Sequence, residues 1–320
     1  MIEQYTLPVD CIERFAGRVV LLTGVGRSGT SILGKLVGSM MPSYYLFEPA
    51  VMKLVPTLCA LDADRRAVYG ATLRALLFED YILPMVHGRT LNFNIHDDSY
   101  IENYIARADI EQRWKQLRRR GDAVSYLQAQ DAKYVLKTPE FQPLLAPLED
   151  IFPQMRVVHI TRNGNDVVSS AVARGWYSDS YMNESIVDWV RKGRGGGCNT
   201  PWYLDDESQR HFPEWNAETR AAAVWRSLTE QGIRYSETHP GQCLEVSYEE
   251  LVNAPAAVVS GIGERLGLVL TELTHKHLRD IGSFSVARYA SVTPKLQEPE
   301  RPKFLELMES LGYGLNGWER

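Results

Sequence analysis

The sequence predicts an α/β protein, a parallel sheet flanked by helices, with helical and loop insertions forming a cap over one edge. Three observations carry this. Short apolar runs alternate with helical stretches, the rhythm of right-handed βαβ crossovers in a sheet covered on both faces. The first run leads directly into a glycine turn and then a helix, and every run stops at a polar residue.

Residues 19–22 read as the first strand, Gly24, Gly26 and Gly29 as the turn, and residues 30–40 as the helix. The second strand, residues 44–47, ends at Glu48-Pro49, and the third, 134–136, ends at Lys137-Thr138-Pro139. Residues 156–160 form the fourth, ending at Thr161-Arg162, and 243–246 the fifth, ending at Ser247-Tyr248. Helical patterns lie around 141–151, 166–174, 217–236 and 249–266. Ligands of such sheets bind beyond the carboxyl ends of the strands, so Arg27, Glu48, Lys137, Arg162 and Tyr248 are expected to meet there. Residues 51–131 and 178–213, the latter with the loop Arg194–Cys198, lack this rhythm and read as cap insertions. Without a repeat or a Pro/Ser linker, residues 1–320 are expected to form one domain, its core at about 17–50, 133–175 and 215–297.

Composition narrows the classes further. The 320 residues carry 35 Lys+Arg against 40 Asp+Glu, a net charge of −5, with 44% hydrophobic residues, which excludes intrinsic disorder. The acidic balance, pI about 5.9, argues against nucleic acid as a partner and requires any anion to be held by a focused site. The four cysteines, Cys11, Cys59, Cys198 and Cys243, form no C-x-x-C pair and suit a reducing compartment. No stretch is apolar enough for a membrane span and the N-terminus lacks a signal-peptide pattern, so a cytoplasmic protein is expected.

Gly24-Val-Gly-Arg-Ser-Gly-Thr-Ser31, between strand and helix, gathers backbone N–H groups at a helix N-terminus and attracts an anion. The arrangement makes the sheet P-loop NTPase-like. A Walker A loop, however, needs Lys where Thr30 stands, and the cation has moved to Arg27. No candidate strand ends in a Walker B aspartate, so a Mg²⁺-dependent kinase or NTPase is disfavoured and no metal is expected. Arg162, Ser170 and Arg174 make a second cluster, with Ser170 and Arg174 spaced i, i+4 on one predicted helix face; Ser169 is the neighbouring candidate.

The two clusters together resemble the nucleotide-binding signature of the PAPS-dependent sulfotransferases, closest to the tyrosylprotein, Golgi-carbohydrate and bacterial branch. The resemblance implies 3′-phosphoadenosine 5′-phosphosulfate (PAPS) as donor and 3′-phosphoadenosine 5′-phosphate (PAP) as product. It assigns Arg27, Ser28, Gly29, Thr30 and Ser31 to the 5′-phosphosulfate and Arg162, Ser170 and Arg174 to the 3′-phosphate, the family spacing alone selecting Ser170 over Ser169. Tyr248, opening Tyr248-Glu-Glu-Leu-Val-Asn-Ala-Pro255, resembles the family tyrosine that approaches the nucleotide, and Lys295, in a segment starting at Arg288, a late donor-site lysine.

Sulfuryl transfer needs a base for the acceptor proton, cations for the developing charge, and walls against water. By the resemblance Glu48 is the base, with Lys137 and Arg27 the catalytic cations. His96, in Asn94-Ile-His-Asp-Asp98, is the rival base, and the position of the cytosolic members' histidine is Pro139 here. The acceptor is expected to be a hydroxyl or amine of a small molecule, lipid or sugar, met by the insertions and their aromatics Tyr81, Phe93, Tyr100, Trp176, Tyr177, Tyr181, Trp202 and Tyr203. The alternatives are a P-loop kinase or NTPase, and a catalytically silent nucleotide-binding protein. Trp225 is expected in the core, the run Arg113, Lys115, Arg118, Arg119, Arg120 on a solvated helix face, and His275 and His277 away from any metal.

Overall fold

A computed structural model describes residues 9–184, 199–281 and 291–314. The loop 194–198 and residues 288–290 lie outside them. Five strands, β1 (Val19–Gly24), β2 (Ser43–Phe47), β3 (Lys133–Lys137), β4 (Arg156–Thr161) and β5 (Cys243–Ser247), form one sheet in the order β2-β3-β1-β4-β5. All four pairings are parallel, in the register Leu21↔Leu136, Leu21↔Val157, Phe47↔Lys137 and Ile160↔Val246. The expected α/β architecture is therefore present, strand for strand.

The strands are near-continuous apolar runs because both faces are covered. Val19, Leu21, Leu46 and Leu136 face a core shared with the helices Val51–Leu61, Arg66–Leu76 and Leu145–Ile151. Val20, Leu22, Val135 and Val158 face the other way, onto the helices Thr30–Gly38 and Pro255–Leu266. A third cluster, with Trp225 at 1% exposure, packs the helices Gly164–Val172, Ala217–Thr238 and Glu300–Ser310 together.

Two helices end earlier than expected. The 249–266 pattern is two helices, Tyr248–Asn253 and Pro255–Leu266, because Pro255 lacks the N–H that would continue the first. The helix bearing Ser170 stops at Val172, with Gly175 at φ 77° just beyond, so Arg174 is off that helix and exposed. The i, i+4 relation predicted for Ser170 and Arg174 is thus corrected.

β1 is central, and the chain leaves it toward β2 and β3 on one side and β4 and β5 on the other. That is a topological switch point, where the carboxyl ends of the strands open a crevice. The glycine turn lies at its lip.

Candidate active site

The turn is locally strained in a way that shapes it. Gly29 sits at φ 95°, and a Cβ there would lie 2.4 Å from Tyr248 Cδ2, so both backbone and space call for glycine. Arg27 (φ 72°), Glu48 (φ 45°) and Glu140 (φ 59°) hold positive φ without being glycine. Each such residue costs about 1–2 kcal/mol, and all three lie around this turn. The helix Thr30–Gly38 begins with no side-chain cap, so its first amides remain as donors for an anion.

Tertiary contacts bring the predicted groups together. Arg27 Nε donates to Ser170 Oγ at 3.1 Å, and Arg162 Nη1 donates to the Arg27 carbonyl at 3.2 Å. The Arg162 guanidinium lies 4.3 Å from the centre of the Tyr248 ring, a cation–π stack that ties the end of β4 to the end of β5. Trp225 Nε1 donates to the Arg162 carbonyl at 3.2 Å, so this core tryptophan fixes the arginine's backbone. Asp166 is within 3.4 Å of Arg162 Nη2.

A second group adjoins the first. Lys137, 2% exposed, places Nζ 2.5 Å from Glu48 Oε1, 3.2 Å from Ser31 Oγ and 4.1 Å from the centre of the Phe47 ring. Strand register creates the pair: Phe47 is level with Lys137, and the Glu48 amide donates to the Lys137 carbonyl at 2.9 Å. Glu48 is 42% exposed, and its Oε2 has no protein partner among the described residues. It lines a cavity of about 580 Å³, with Glu140, Lys53, Leu54, Val55, Tyr81, Trp202 and Tyr203.

Other expected residues lie elsewhere. Lys295 pairs with Glu218 at 3.0 Å and is 63% exposed. His96 is exposed and does not line the cavity. Of the cap aromatics, Tyr81, Trp202 and Tyr203 reach the cavity, whereas Tyr177 is in the core and Phe93 lies under Arg107 at the surface. In the basic run, Arg113 is buried at 7% exposure while Lys115, Arg118, Arg119 and Arg120 are exposed.

Two carboxylates escaped the sequence reading. Glu140 Oε1 accepts from the Gly26 amide of the turn at 3.3 Å, where a Cβ on Gly26 would lie 2.7 Å from that oxygen. Its nearness in sequence to Lys137 was the available signal. Asp98 pairs with Lys35 at 2.8 Å. Burial works against its charge, but Lys35, Ser31 and Lys137 outweigh burial and hold its carboxyl below the usual range.

The sulfotransferase family's sequence profile matches residues 20–196, more than half of the chain. The chain belongs to the sulfotransferase family. It is therefore a transferase enzyme. Among solved structures, this sulfotransferase is similar to the sulfotransferase domain from the curacin biosynthetic pathway, at 13% identity over 92% of this chain and 97% of that one, TM-score 0.50. That likeness supports a shared fold. Further similar structures are sulfotransferase STF9 from Mycobacterium avium (15% identity, 97% and 81% covered, TM-score 0.49) and the sulfotransferase domain of the Synechococcus PCC 7002 olefin synthase (16%, 92% and 94%, TM-score 0.48). No curated protein matches this sulfotransferase.

The family implies PAPS as donor, and the residues present fit it. Ser28 Oγ, in the turn, and Arg162 Nε are buried without a hydrogen-bond partner, two donors in need of an acceptor. Arg27, Arg162 and Lys137 supply fixed cations around them. Among the described residues no three His, Cys, Asp or Glu side chains are grouped to hold a metal ion, and no helix is long and apolar enough to cross a membrane.

Proposed function

We propose that this sulfotransferase moves a sulfuryl group from PAPS to a hydroxyl or amine of a small-molecule, lipid or sugar acceptor seated in the cavity beside Glu48. The observation that carries this reading is the Lys137–Glu48 pair, which joins the phosphate loop, through Ser31, to the cavity wall. PAPS, when bound, supplies the sulfuryl group and a phosphate leaving group. Arg27, Ser28, Gly29, Thr30 and Ser31 bind its phosphosulfate end, and Arg162, Ser170 and Tyr248 its nucleotide end.

Glu48 Oε2 takes the acceptor proton, a contribution of about 10²–10⁴ in rate. Lys137 holds Glu48 through Oε1 and stands ready to offset charge on the reacting oxygens. The cap aromatics Tyr81, Trp202 and Tyr203 shield the site from water and receive an apolar acceptor. The same reading treats residues 1–320 as one domain, with 51–131 and 178–213 as its cap. A reducing, cytoplasmic setting is supported by Cys59 and Cys243, both buried free thiols.

Isothermal titration tests the donor: PAP binds and AMP binds far more weakly, and equal affinities would end the proposal. Glu48→Gln tests the base, with an expected loss of about 10²–10⁴ in turnover at unchanged PAP affinity. A Glu48→Gln enzyme retaining full turnover would remove Glu48 from that role.

A further inference from the structure

A second cavity, of about 310 Å³, lies at the opposite end of β2. Ser43, the first residue of that strand, lines it, whereas Glu48 follows the last. At about 3.3 Å per residue the two ends are roughly 15 Å apart, so this is not the cavity that Glu48 lines.

Its wall is unusual. Arg113, on the helix Arg107–Gln116, lines it while only 7% exposed. The Arg113 guanidinium makes no hydrogen bond or ion pair among the described residues, and its Nε is wholly buried without an acceptor. Asp109, one turn earlier on the same helix, also lines the cavity and forms no ion pair with it. Tyr44, Tyr45, Tyr104 and Tyr126, with Met85 and Ile101, line the same cavity. Tyr45 and Tyr104 stack with ring centres 4.1 Å apart, giving one wall a rigid flat surface.

A buried guanidinium has five donors, no acceptor capacity and a permanent charge. Without an anion its buried Nε carries its desolvation penalty uncompensated. Tyr44 cannot neutralise it: burial pushes its phenol far above its ordinary range, against the pull of Arg113. What satisfies this wall is a single negative head that accepts in a fork from the guanidinium, attached to a flat apolar body that fills the space between rings.

We propose that this cavity is a second ligand site, separate from the transfer site, for a monoanionic aromatic carboxylate or sulfate ester whose head pairs with Arg113. The two anions share the chemistry the site reads, and direct comparison tells them apart. The proposal stands on this cavity alone and does not depend on the identity of the sulfuryl donor or acceptor.

Isothermal titration of the full chain with 2-naphthoate, 2-naphthyl sulfate and the neutral 2-naphthamide tests it. At least one of the two anions is expected to bind at least about tenfold tighter than the amide, the tighter one naming the natural head group. Saturating PAP should leave that binding unchanged. Arg113→Met should weaken it at least about tenfold while PAP affinity stays as in the parent. Should Arg113→Met prove unfolded by circular dichroism, Ile105→Trp, which fills the cavity from its half-buried rim and keeps the arginine, should abolish binding instead. Equal affinity for the amide, no binding by either anion, displacement by PAP, or full binding by a folded Arg113→Met or Ile105→Trp protein would each overturn the proposal.

Discussion

Replacing Gly29 by alanine probes how the phosphate loop is held. At φ 95° an alanine incurs about 1–2 kcal/mol from the left-handed backbone alone. Its Cβ would also lie 2.4 Å and 2.9 Å from two carbons of the Tyr248 ring, a ring 7% exposed and stacked on Arg162. Such overpacking adds about 1–3 kcal/mol, so Gly29→Ala should destabilise the protein by about 2–5 kcal/mol and weaken PAP binding as Arg162 moves. The two contributions are separable. Tyr248→Leu removes the clashing edge, so in the double variant only the backbone cost remains. Urea unfolding of the four proteins should return a coupling of about 1–3 kcal/mol, the double variant being less damaged than the sum of its singles. Additivity within about 0.5 kcal/mol would refute the steric part of the reasoning.

Gly232→Ala places a methyl 2.1–2.7 Å from the ring of His159, which is 1% exposed and bonded to Gln142 and Glu245; a loss of about 1–3 kcal/mol in urea unfolding is expected, and a neutral result contradicts the packing. Burial opposes the charge of Asp205, but the Ser208 amide, Arg226 and the Ser208 hydroxyl outweigh it and depress its carboxyl well below the usual range. A depressed carboxylate stabilises the fold above its unfolded pKa, about 3.9, and loses that contribution as pH falls through its folded value. Unfolding free energy should therefore drop from about pH 5 downward, less steeply in Asp205→Asn, and parallel profiles would contradict the assignment. Burial, then Glu245, pushes the Cys243 thiol up to about 12, so a disulfide reagent should modify it in urea and leave it intact in the native protein at neutral pH.

The sheet was legible because each strand is a short apolar run closed by a polar residue, and a parallel sheet needs little more to be recognised. The convergence of Arg27, Arg162 and Tyr248 followed from those strand ends, and that of Ser170 from the helix that follows β4. Arg174 was misplaced because helical periodicity ran past Val172, where Gly175 adopts a left-handed conformation instead. Glu140 and Asp98 carried no periodic signal; they reach the site through a strained turn and a loop packed on the first helix after β1. Arg113 looked solvated within a polar helix, yet it is buried and lines a cavity together with tyrosines of β2 and Tyr126 of the helix Arg120–Gln128. Lys295 bonds a carboxylate, Glu218, that no local pattern ties to it.

The level placement of Phe47 and Lys137 on neighbouring strands has a bearing on how such an enzyme can diversify. Sliding either strand by a single position would put the lysine and its acid on opposite sides of the pleat and separate the pair. Insertions within 51–131 lengthen a connection between those strands and leave their alignment untouched. On the proposed reading the reacting pair is thus inherited with the ladder, while the acceptor site varies with the connection above it.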